Sequence, residues 1–218
     1  MKVFICAALL LGSLTMMAQA DVVTFESLAG QGDCDQNGCV GYVPDGYGGI
    51  SWGGLWEYFD FPQYPYTPES GSVRVFTTAY GTYGEVPFFF VTPQVFDGAW
   101  FAGVPDETVY FNLYDDGTLV FQSPSIDVSS GTVDTPDGPV VNPVFLASGY
   151  SGQVDEVAVF SPANGLYVMD DVTYHSNGVQ AQVPEPASLL LMGAGLLAVL
   201  SYAGWRRRRA AAMLTRRG

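Results

Sequence analysis

Between Asp21 and Gln182 the chain never runs far without a turn signal, and that punctuation limits the possible folds more than any other feature. Short runs rich in Val, Phe, Tyr and Thr are separated by clusters of Gly, Pro, Asn and Asp. No stretch repeats apolar residues at the three-to-four spacing of a helix. The pattern predicts strands at 22–25, 73–77, 87–91, 99–102, 108–114, 118–122, 140–147, 154–160 and 166–174. Asp115-Asp116-Gly117 is a hairpin turn between two of them. Roughly 160 residues fit one domain. Short strands with this punctuation predict an all-β, antiparallel sandwich, most simply a jelly roll, over 21–177.

Residues 30–70 read differently. Glycines, prolines and rings crowd there, among them Tyr42, Trp52, Trp56, Phe59, Phe61, Tyr64 and Tyr66, and the stretch predicts long loops over one end or face of the sandwich. Most rings in a β protein are core. Trp52 and Trp56, set among and just after the glycines of 46–54, are candidates to project and stack on a sugar face, with Tyr47, Tyr58 and Asp60 bonding to hydroxyls. The competing reading buries both tryptophans under the loops.

Charge narrows the function. The segment from Asp21 to Gln182 holds 21 acidic residues against the single basic Arg74, a formal charge of −20. Such a surface has no phosphate-binding patch, which excludes nucleic acid as a partner, and it does not adhere to anionic lipid. The aromatic content argues against disorder. Repulsion among so many carboxylates is relieved by divalent cations, so calcium is a structural cofactor to test. Asp33-Cys34-Asp35-Gln36-Asn37-Gly38 reproduces the first half of a D-x-D-x-N-G calcium loop, with the Cys39 carbonyl and Asp45 as further oxygens. Its final glutamate is missing, since Pro44 occupies the twelfth position. The alternative is a polar turn closed by a Cys34–Cys39 disulfide, the pairing expected of two cysteines in a body held in an oxidising compartment.

Both ends carry targeting patterns. Lys2, an apolar run to Leu14 and the small-x-small Ala18-Gln19-Ala20 predict a signal peptide over 1–20, removed by signal peptidase; the alternative is an N-terminal anchor. After a linker at 178–182, Val183-Pro184-Glu185-Pro186 precedes an apolar run over 187–205, then Arg206, Arg207, Arg208 and Arg209. As a helix, that run would reach about 28 Å, near the ~30 Å hydrocarbon core. The arginines stay cytoplasmic and the body crosses.

The order of that motif, span and arginine cluster resembles the PEP-CTERM sorting signal, over 183–209. The resemblance implies recognition by the membrane-embedded enzyme exosortase in a Gram-negative bacterium that makes exopolysaccharide. It implies a transient inner-membrane anchor, then a place at the cell surface, outer envelope or extracellular matrix. The extension at 210–218 departs from the family, which usually stops sooner. The body is similar to a common ectodomain type of that family, on Val23-Thr24-Phe25-Glu26-Ser27-Leu28, Tyr47-Gly48-Gly49-Ile50-Ser51-Trp52 and Tyr167-Val168-Met169-Asp170-Asp171-Val172. Related jelly rolls hold a structural calcium with acids of their first and last strands, which implies Glu26 and Asp170, with Asp171; the alternative is that they cap strand ends and turns.

Catalysis is not expected. His175 is the single histidine, with no Ser or Cys nucleophile motif around it. The adjacent pairs Asp106-Glu107, Asp155-Glu156 and Asp170-Asp171 are poor glycosidase pairs, because neighbours in a strand face opposite ways. The expectation is a non-enzymatic envelope or matrix protein that binds or organises surface polysaccharide. The alternatives are a structural or adhesive protein without a glycan site, and a polysaccharide-modifying enzyme.

Overall fold

The computed structural model describes residues 20–78, 84–136, 138–163 and 165–176. The expected signal peptide, linker, sorting motif, 187–205 span and arginine cluster lie outside the described residues. Among those described, no helix is long and apolar enough to cross a membrane.

The regular structure of the body is almost entirely antiparallel strand, as the turn punctuation predicts. In chain order the strands are β1 (Asp21–Val23), β2 (Asp33–Cys34), β3 (Cys39–Tyr42), β4 (Ile50–Ser51), β5 (Trp56–Phe59), β6 (Arg74–Thr77), β7 (Gly84–Gly103) and β8 (Thr108–Asp115). They continue as β9 (Thr118–Gln122), β10 (Ile126–Asp127), β11 (Thr132–Thr135), β12 (Gly138–Val141), β13 (Val144–Ala147), β14 (Val154–Ser161) and β15 (Tyr167–His175). They build a β-sandwich. Its first sheet runs β2-β3-β5-β6-β15-β7, with β1 on β15 and β13 on β7. Its second runs β4-β7-β14-β8-β9, with β10 on β8. Strand β7 belongs to both: residues 84–94 pair with β14 and 95–103 with β15.

Alternation sorts the side chains. Val109, Phe111 and Leu113 of β8 and Val157 and Val159 of β14 are buried. They meet Phe88, Phe96, Phe101, Val75 and Met169 in one core between the sheets. Period-two strands demand this division, since residues i and i+2 share a face. The β8–β9 hairpin turns at Asp116 and Gly117, with φ of 48° and 70°, the paired positive values a tight hairpin turn needs.

Three sequence expectations are corrected. The runs at 87–91 and 99–102 are one continuous strand, because Pro93 falls at an irregularity in the β7–β14 ladder, where its missing N–H costs no bond. The run at 140–147 is two strands, broken at Asn142-Pro143. Residues 30–70 are not simply loops: β2, β3 and β5 form one flank of the first sheet, and Cys34 and Cys39 face each other across β2–β3 and are disulfide-bonded.

Candidate functional site

The tryptophans do not project. Trp52 and Trp56 are both 0 % exposed. Positive φ at Gly53 and Gly54 turns the chain sharply between them, and both rings pack inward on Phe88. Trp52 Nε1 donates to the Tyr47 carbonyl at 2.9 Å, and Trp56 Nε1 crosses between the sheets to the Pro87 carbonyl at 3.0 Å. The other members of the expected sugar site are occupied too. Tyr58 is buried, and Tyr47 stacks on Phe25 with its hydroxyl on Ser27 Oγ. Asp60 accepts from the backbone N–H groups of Cys39 and Gly30. Glycine-rich backbone permits sharp reversal as readily as exposure, and apolar burial decided between them.

The acidic residues bind the chain to itself. Asp35 accepts from the N–H groups of Asn37 and Gly38, which holds its carboxyl below the usual range. Asp45 accepts from Ser51 Oγ at 2.7 Å and Trp52 N at 3.0 Å, and its carboxyl is likewise lowered. Glu26 and Asp170 do converge, on the segment before β6. Glu26 Oε1 takes the N–H groups of Ser72 and Val73, and Asp170 Oδ2 those of Glu69 and Ser70. Asp171 takes the Ser70 hydroxyl. Among the described residues no three His, Cys, Asp or Glu side chains gather as a metal site would need.

Burial, above all, pushes the Asp170 carboxyl up to about 8; the neighbouring Asp171 adds to this and three backbone donors oppose it. Arg74 lies beside it on β6, 2 % exposed, and burial pushes its guanidinium down to about 10 while Asp170 and Asp60 pull it back up. Its Nη atoms donate to the carbonyls of Ser72 and Phe61, and its plane lies 3.9 Å over the Phe59 ring. The one cation of the body is thus a structural pin.

That pin supports the floor of a groove on the outer face of the first sheet. Cross-strand pairing sets Tyr42 beside Glu57 and Glu57 beside Phe76, with Val40 beside Phe59 in the next row. Phe61, Gln63 and Tyr66 form one wall, and Gly165 and Leu166 of the turn before β15 line it as well. The space is about 590 Å³. Phe59 sits 5.1 Å from Phe61 and 5.6 Å from Phe76, so the floor is a packed aromatic patch. Tyr42 stands at the rim, 62 % exposed. Glu57 is the one charged side chain among the described residues that line it. Rings with a few hydrogen-bonding groups can hold a flat ligand by its apolar face and orient it by its hydroxyls. Sequence reasoning missed this site. The available signal was the alternation in Trp56-Glu57-Tyr58-Phe59, which sets Glu57 opposite in direction to Trp56 once the core face is known.

Residues 182–209 match the PEP-CTERM protein-sorting motif family. That C-terminal sorting motif implies export, envelope association and processing by exosortase. No curated protein matches the chain. Among solved structures, a mutant of a family 29 carbohydrate-binding module, made to probe ligand recognition, is similar at 14 % identity over 78 % of this chain and 99 % of that one, with a TM-score of 0.35. A likeness of that degree carries no argument about function.

Proposed function

We propose that the sorted protein is a non-enzymatic polysaccharide-binding component of a Gram-negative cell surface or extracellular matrix, and that it holds the glycan in the Tyr42–Glu57–Phe76 groove. The carrying observation is the groove itself: a half-buried aromatic floor under an exposed Tyr42, with polar groups at its edge, on an otherwise acidic body. The single carboxylate among the described residues that line it supports binding over hydrolysis, which needs two carboxylates across the scissile bond. The −20 charge favours an uncharged glycan over an anionic one. Affinity electrophoresis through hydroxyethyl cellulose, galactomannan and alginate tests the reading. Retardation by a neutral gel, lost in Phe76→Ala and Tyr42→Ala with the unfolding midpoint kept, is expected. Equal retardation of wild type and variants, or none in any gel, leaves a structural surface protein without a glycan site there.

A further inference from the structure

The outer face of the second sheet is also lined with rings and hydrogen-bonding groups. Tyr110 of β8 and Phe160 of β14 are cross-strand partners with ring centroids 4.8 Å apart, both half-buried. Toward the other end of the same strands, Phe89 of β7 and Tyr114 of β8 flank Glu156 in register. Four residues along a strand separate the two ring groups, roughly 13 Å at strand rise.

The row between them is already ordered. Ala158 separates β7 from β8 with only a methyl group, and Glu85 reaches across it to accept from Asn112 Nδ2. The second Glu85 oxygen accepts from the Tyr114 hydroxyl at 3.0 Å. Gln122 Nε2 donates to Asn112 Oδ1 at 2.8 Å. These bonds fix the side chains before any ligand arrives, so less rotamer entropy is lost on binding. Burial, then the nearby Asp155 and Glu85, raise the Glu156 carboxyl.

We propose that this face is a second glycan-binding surface, so that one molecule holds two strands of uncharged polysaccharide on opposite sides of the sandwich. The bivalent part rests on the groove reading; the face itself does not. Opposition follows from the fold: the inward residues of both sheets share one core, so their outward residues point apart. Complementarity selects the occupant. The exposed Glu85 and half-buried Glu156 carboxyls can accept from sugar hydroxyls and the exposed Gln122 amide can bond them, the rings take the apolar face of a sugar, and no cation offsets the carboxylates for an anionic chain. An apolar protein surface would leave those carboxylates desolvated and unpaired.

The experiment uses the full chain in detergent with galactomannan or hydroxyethyl cellulose, as polymer and as short oligosaccharide. Phe89→Ala/Gln122→Ala alters two exposed side chains of the face, Phe160→Ala is a second face variant, and Phe76→Ala alters the groove. Size-exclusion chromatography checks that each is a monomer. Two sites on one polymer raise apparent affinity by about a hundredfold or more over one. Expected, therefore, are a sedimentable polymer network with wild type, and loss of that network and of the polymer advantage in the face variants. Oligosaccharide binding in the groove is expected to survive in those variants. A face variant that still networks the polymer overturns the proposal, as does a network that depends on protein dimers. Unchanged binding by Phe76→Ala, with loss in the face variants, sinks the groove reading and leaves the face standing as a single site.

Discussion

Trp56 is the strongest test of the core account. Its ring is fully buried in the first sheet, packs edge-on to Trp52 and Phe88, and its Nε1–H bonds to the Pro87 carbonyl of β7. Trp56→Ala removes the ring and leaves a cavity between the sheets, at a cost of about 3–5 kcal/mol. Trp56→Phe keeps much of the packing and loses the bond between the sheets, which alone contributes about 0.5–1.5 kcal/mol. Urea unfolding measures both, with an unchanged slope showing that the unfolded state is not altered. Glycan retardation, read well below the unfolding midpoint, is expected to match wild type for Trp56→Phe. A Trp56→Ala protein of near-wild-type stability that no longer binds glycan would refute the reasoning and restore the ring as a ligand contact.

Asp170, whose folded carboxyl is raised to about 8, keeps a proton in the folded state that the unfolded chain loses near pH 4, so its contribution is full at the acid end and fades as pH rises through 8. Unfolding free energy at pH 5 against pH 8 therefore falls with rising pH by an amount on the order of a few kcal/mol, and Asp170→Asn flattens that slope; a variant with the wild-type slope contradicts this. Calcium at millimolar concentration is expected to shift melting no more than magnesium at matched ionic strength, because Glu26 and Asp170 already hold backbone N–H groups; a calcium-specific rise would show that those acids rearrange around the ion. In a host with exosortase, mass spectrometry of the surface protein is expected to find Asp21 first and the 206–218 segment gone; its intact recovery would speak against processing.

The sequence carried the fold better than the site. Alternation in 108–114 sets Val109, Phe111 and Leu113 on the core face, because a strand with one dry face has only one workable register; in 154–160 it breaks at Val154, which a register shift before Glu156 turns into the core. The sorting signal was legible because an ordered local motif needs no tertiary context. The tryptophans were not legible: glycines at 53 and 54 leave either direction open, and only the presence of Phe88 and Phe25 beside them settles it. Nor was the groove, whose Tyr42, Glu57, Phe76 and Leu166 come from separated segments joined by register. The acids at 26 and 170 both bond the segment before β6, and those partners, the backbone N–H groups of 69–73, carry no mark in a sequence.

The most direct test of the central claim is amide shift mapping of the isotope-labelled protein titrated with a neutral oligosaccharide it binds. The account predicts perturbations at Tyr42, Glu57, Phe76 and Leu166, with the Trp52 and Trp56 indole signals unmoved. Saturable binding that instead shifts both indoles and leaves the groove silent would contradict it.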